Sequence, residues 1–103
     1  MTDHTLLQQI KTQVHQVEPN AEIIFYGSRA RGDAEPESDW DFIVFDGTVN
    51  DERVDTLRHH LYELEWEIGE VLSCIVRNRE DWNTSQYQAT SLYQNVQREG
   101  VRL

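Results

Sequence analysis

Ile23-Ile24-Phe25-Tyr26-Gly27-Ser28-Arg29-Ala30-Arg31-Gly32, then a polar stretch, then Ser38-Asp39-Trp40-Asp41-Phe42-Ile43-Val44-Phe45: these residues decide the fold. Glu22 to Tyr26 is a short run rich in β-formers and reads as a buried strand. Gly27-Ser28 breaks it, and Arg29-Ala30-Arg31 can form one helical turn before Gly32. Asp33 to Ser38 is polar and contains Pro36, so it reads as a loop. Asp39 to Phe45 is a second strand. Its alternation puts Asp39, Asp41 and Ile43 on one face and Trp40, Phe42 and Val44 on the other.

Gly27 lets the backbone approach a ligand closely. Amides clustered in such a turn, with a helix start behind them, bind phosphate, and Ser28 adds a hydroxyl donor. Asp39 and Asp41 leave the same face of a strand, and two carboxylates so close repel unless a cation lies between them. Mg²⁺ suits such a pair because it takes carboxylates together with substrate phosphates and water. Either signal alone is weak. Together, ten residues apart, they point to a nucleotide's phosphates and a divalent ion.

Outward from this stretch, Leu6, Ile10, Val14 and Val17 recur at helical spacing, giving a first helix over Thr5 to Val17 that Pro19-Asn20 stops. Asn50 caps a long helix whose first turn carries Asp51 and Glu52. Its apolar stripe is Val54, Leu57, Leu61, Leu64 and Ile68, and Gly69 ends it. Val71 to Val76 is a third strand. A helical crossover from the second strand favours parallel pairing of the two. The loop between the first two strands leaves their relation open. Asp81 to Ser85 is turn-rich, and Ser91 caps a last short helix with Leu92, Val96 and Tyr93 facing inward.

The chain has 103 residues, no repeat and no linker, so it reads as one domain over residues 1–103. A core of that size leaves an active site shallow or completed by a partner. The net charge of −10, with Lys11 the single lysine, argues against a nucleic-acid backbone and favours cations or a basic protein. The lone Cys74 cannot form an internal disulfide and reads as a small core residue. No signal-peptide pattern or membrane-length apolar run is present, so the expected location is the cytoplasm, with no membrane partner.

The strings Tyr26 to Asp33 and Ser38 to Asp41 resemble, almost residue for residue, the signature of the DNA polymerase β-type nucleotidyltransferase superfamily. The chain is similar to its smallest members, the minimal nucleotidyltransferases, over about Ile23 to Val76. The tail from Ser91 to Val101 looks like the C-terminal end of small members. The resemblance implies an α/β fold (α+β by some schemes): a small mixed sheet of three or more strands, with helices packed on one face and the site exposed on the other. It implies that Gly27 and Ser28 hold the β and γ phosphates of ATP. Asp39 and Asp41 would be the catalytic residues and bind Mg²⁺, two ions being expected. Arg29 and Arg31 would neutralise phosphate, or else pair with Asp33, Glu35 or Glu37. The reaction implied is transfer of AMP to a protein hydroxyl, the chain acting as antitoxin to a helical HEPN-domain toxin. Homo-oligomer formation stays open.

One departure qualifies the resemblance. Active superfamily members carry a third carboxylate on the next strand, at or beside Ser73 here. A serine replaces neither a base nor a metal ligand, and Glu70 is the nearest alternative carboxylate. A nucleotide- and partner-binding module that neutralises a toxin by docking, without turnover, is therefore the second expectation. His59-His60 lies outside the motif and reads as surface. Trp40, Trp66 and Trp82 read as core or edge packing, and the run Glu63, Glu65, Glu67, Glu70 as an acidic helix end that is bland in isolation and could equally meet a basic partner.

Overall fold

A computed structural model describes residues 3–47 and 50–103. In chain order the elements are α1 (Asp3–Val17), β1 (Glu22–Tyr26), α2 (Ser28–Arg31), β2 (Trp40–Asp46) and α3 (Asp51–Ile68). There follow β3 (Leu72–Asn78), α4 (Arg79–Trp82), α5 (Ser85–Gln88), α6 (Ser91–Glu99) and β4 (Val101–Arg102). The sheet runs β3-β2-β1-β4. β2 and β3 are parallel, as the helical crossover requires. β1 and β2, whose relation the sequence leaves open, are antiparallel, with Tyr26 opposite Asp41.

The two long helices form where expected. Leu6, Ile10 and Val14 of α1 are buried at i, i+4 spacing, and Leu57, Leu61 and Leu64 of α3 face them. The Asn50 side chain accepts the Arg53 amide at 2.9 Å, and Gly69, at φ 72°, closes α3 by donating to the Glu65 carbonyl. Both helices pack on the sheet face formed by Ile23, Phe25, Trp40, Phe42 and Val44. Helix α3 is further pinned to the end of α1. Arg53 donates to both carboxylate oxygens of Glu18, a buried acid, and to Asp46.

The fold is the mixed sheet with helices that the sequence implies, and the opposite face carries a second, smaller layer. Ile43 and Phe45 of β2 meet Trp82 and Val96, with Tyr87, Leu92 and Tyr93 around them. Phe42 through Phe45 are consequently buried on both sides, the signature of a central strand as opposed to a half-solvated one.

Four local expectations need correction. β2 begins at Trp40, so Asp39 stands just before the strand. β3 extends to Asn78. The stretch read as turns keeps a turn only at Asn83-Thr84, which joins two four-residue helices, α4 and α5, started by the side chains of Asn78 and Thr84. The cap of α6 is Thr90 and not Ser91, because it is the Thr90 hydroxyl that accepts the Tyr93 amide. β4, two residues long, lies below what periodicity can detect. Among the described residues, no helix is long and apolar enough to cross a membrane.

Candidate active site

The chain leaves β1 at Gly27, whose φ of 86° and ψ of −167° suit glycine alone among the residues. Helix α2 starts at once, with Ala30 and Arg31 donating to the Gly27 carbonyl at 3.0 Å. The first two amides of a helix, here those of Ser28 and Arg29, have no partner inside it. Gly32, at φ 87°, ends the turn and donates to the Ser28 carbonyl.

Antiparallel pairing of β1 with β2 sets this turn against the two aspartates. A Cβ built on Gly27 would lie 2.4 Å from Asp41 Oδ2. The Gly27 turn and the Asp41 carboxylate are therefore in direct contact, and the missing side chain makes room for it. Asp39 is exposed and Asp41 half-buried, while Trp40 between them faces the core on the other side of the sheet. The alternation read from the sequence thus holds for Trp40 and Asp41, and the Asp39 charge is felt at Asp41.

Burial, and then the neighbouring Asp39, raise the Asp41 carboxyl above the ordinary carboxylate range. Ser73 and Arg31 pull it back, and Glu99 adds to the rise. The Tyr26 phenol beside it is pushed up to about 12, chiefly by burial and next by Asp41. The sign of the pH effect follows. A carboxyl raised by folding holds its proton more tightly in the native state, so stability falls as pH rises from the ordinary carboxylate value through the raised one. Without divalent ions, acidification through that window is expected to stabilise wild type relative to Asp41→Asn. Calorimetric melts of the two proteins across pH check this, and parallel pH profiles would refute it.

The structure brings Gly27, Ser28, Asp39 and Asp41 together, and it separates the two arginines. The Arg29 side chain is 16% exposed and lies 4.6 Å over the Trp40 ring. It donates to the Ser38 carbonyl at 3.0 and 3.2 Å and to the Pro36 carbonyl at 3.0 Å. It thereby fastens the loop that delivers Asp39. Arg31 is 45% exposed and pairs with Asp33 at 3.1 Å and with Glu99 at 2.9 Å. Of the carboxylates named as alternative partners, only Asp33 engages one of these arginines.

Parallel register puts Ser73 beside Asp41, the place where a third carboxylate was expected. Glu70 lies 3.9 Å from Arg29, on the loop side of the site. Among the described residues no group of three or more His, Cys, Asp or Glu is arranged to hold a metal. Two hard oxygen donors fit Mg²⁺ that takes its remaining ligands from phosphate and water. They do not make a closed protein cage.

Glu99 is the neighbour that sequence reasoning missed. Its side chain, 7% exposed, closes on Arg31 from the end of α6, and its charge is felt by both Asp41 and Tyr26. No motif marks it. It comes close because β4 pairs with β1, turning the chain end back onto the site. Grooves such as one of about 290 Å³ between α1 and α3 lie elsewhere, so it is chemistry and not concavity that locates this site.

The family model described as "nucleotidyltransferase domain" matches residues 7–98. The fold is also similar to solved toxin–antitoxin structures. One is a MntA–HpeT complex with a tyrosine-to-alanine change, at TM-score 0.66 and 18% identity, covering 94% of this chain and 70% of that one. A second MntA–HpeT complex, with two aspartate-to-glutamate changes, matches at 0.64 and 16%, covering 92% and 69%. A toxin–antitoxin structure with AMP-PNP matches at 0.64 and 16%, covering 98% and 72%. At these identities the likeness establishes the fold. No curated protein matches the sequence.

Proposed function

Because this chain belongs to the nucleotidyltransferase domain family, we propose that it transfers AMP from ATP to a hydroxyl of a protein partner, as the antitoxin of a toxin–antitoxin pair. The observation that carries this reading is the contact between the Gly27 turn and the Asp41 carboxylate, with Asp39 near enough for its charge to be felt there. Phosphate donors and metal donors converge there within one side chain's reach. The solved complexes of the same fold, one with AMP-PNP, support both the nucleotide and the toxin partner.

The Gly27 turn and the Ser28 hydroxyl would hold the β and γ phosphates, and Arg31, half-exposed, would neutralise phosphate charge. Arg29 acts one step removed, by keeping Asp39 in place. Asp39 and Asp41 would hold Mg²⁺, two ions in the full arrangement, whose chemistry is charge neutralisation and activation of the acceptor hydroxyl. The hydroxyl oxygen attacks the α-phosphorus, the bond from that phosphorus to the β-bridging oxygen breaks, and pyrophosphate leaves with the electron pair. The hydroxyl proton passes to solvent, since Ser73 offers no base.

The partner proposed is a helical toxin of the HEPN type with a basic face, matching a chain of net charge −10. The setting proposed is the cytoplasm, where ATP and Mg²⁺ are abundant and a free thiol such as Cys74 stays reduced. Labelled-ATP transfer onto that toxin with Mg²⁺ tests the reading. Absence of transfer, with toxin binding intact, sinks it.

Ser73 beside Asp41 favours one other reading, a module that binds nucleotide and toxin without turnover. Ser73→Asp separates the two. A working enzyme short of its third carboxylate is expected to gain about tenfold or more in initial transfer rate. The same change should lower the metal-free melting temperature through repulsion with Asp41, and Mg²⁺ should restore it. A rate unchanged by Ser73→Asp would argue that the missing carboxylate is not what limits turnover.

A further inference from the structure

Three apolar side chains meet on the surface where α3 hands over to β3. Trp66 is 77% exposed, Tyr62 55% and Val71 53%. The Tyr62 and Trp66 rings stand edge to face with centroids 6.2 Å apart. A groove of about 360 Å³, bordered by Arg58, Tyr62, Glu65, Leu72 and Cys74, runs alongside, and one of about 290 Å³ lies under Trp66 and Val71. β3 is the outermost strand of the sheet on this side, so one rank of its backbone groups faces outward. A Trp–Tyr pair set in shallow grooves beside an open strand edge is the composition of an interface centre.

Charge points to the occupant. Glu65 and Glu70 line these grooves beside the aromatic pair, Glu65 also accepting the Leu72 amide at 3.0 Å, and the exposed Glu63 follows Tyr62 in the helix. Against them stand Arg58, His59, already paired with Glu63 at 3.1 Å, and Arg29, which lies 3.9 Å from Glu70. The surplus is negative here, as it is over the whole chain. A second copy would bring a like-charged rim, whereas a basic partner neutralises it.

Position links the patch to the site. The Val71 carbonyl accepts the Trp40 amide at 2.9 Å, and Trp40 is paired in register with Leu72. The patch therefore ends one residue from Asp39 at the sheet edge, with Leu72 and Cys74 on the α3 face and Ser73, between them, on the opposite face beside Asp41. We propose that Tyr62, Trp66 and Val71, with their glutamate rim, are the docking face for the basic toxin, and that docking there presents the toxin's acceptor hydroxyl to Asp39 and Asp41. The proposal rests on the toxin partner of the preceding reading and adds the surface.

The test uses the purified protein encoded by the gene adjacent to this chain's own as the probe. Its affinity is measured by calorimetry for wild type, for Tyr62→Glu with Trp66→Glu, for Trp66→Phe, and for Asp39→Asn with Asp41→Asn. The glutamate pair is expected to weaken binding by about 100-fold or more, and Trp66→Phe to keep most of it. Both side chains are exposed, so the melting temperature should hold. The asparagine pair should bind as wild type does and transfer nothing. Binding by the glutamate pair within about threefold of wild type overturns the docking face. So does a wild type that ignores the probe, or one that sediments as a dimer which the glutamate pair dissolves. Wild-type binding without transfer leaves the face standing and removes only the transferase reading.

Discussion

Transfer of labelled AMP is expected to fall to background when Asp39→Asn and Asp41→Asn are combined. The loss expected is on the order of 10³-fold or more, since the pair is asked for several kcal/mol of charge stabilisation in the transition state. The substitutions preserve shape, so packing against Gly27 is kept while the charge that would hold Mg²⁺ is removed. The stability readout should move the other way. Asp41 is destabilised as an anion by burial and by Asp39, so the metal-free variant should melt at or above the wild-type temperature. Mg²⁺ with ATP should raise the melting point of wild type only. A variant that melts lower and still responds to Mg²⁺-ATP would show that these carboxylates do not form the metal site.

Gly27→Ala is the second large effect. Its Cβ would meet Asp41 Oδ2 at 2.4 Å, and a backbone at φ 86° and ψ −167° is strained for any L side chain. Backbone strain alone costs about 1–3 kcal/mol. Relief requires Asp41 to swing away or β1 to part from β2 at the Tyr26–Asp41 pair. Either movement separates the Gly27 turn from the carboxylate. The expected result is a lower melting temperature together with loss of Mg²⁺-ATP stabilisation, whereas Gly32→Ala, with open space around its Cβ position, should show only the backbone cost. Equal effects at the two glycines, read by thermal shift with and without Mg²⁺-ATP, would refute a special role for Gly27.

The site was legible where local chemistry is written in adjacent residues. Gly27-Ser28 ending one apolar run and Asp39-Trp40-Asp41 opening the next were enough to place a turn and two same-face carboxylates, because strand alternation is a local rule. The arginines were not legible. Arg29 and Arg31 sit two residues apart on one helical turn, yet one is stacked over Trp40 beneath the loop and the other is drawn out to Glu99. Which partner each takes depends on elements that arrive later in the chain. Trp66 was misread for a related reason. It lies on a helix with a clear apolar stripe, and only packing shows that it stands off that stripe, almost bare to solvent.

By itself the sequence determined the strands and helices around the motif, the face on which Asp39 and Asp41 lie, the missing carboxylate at Ser73 and the acid surplus. The Ser73 departure rests on the resemblance to the family; the others follow from composition or from short-range periodicity. Tertiary structure decided the antiparallel placing of β1 on β2, which alone makes Gly27 touch Asp41. It also decided the arrival of Glu99 through β4, and the exposure of Trp66 beside the open edge of β3. Those depend on contacts between residues far apart in the chain, and no local rule of spacing carries that information.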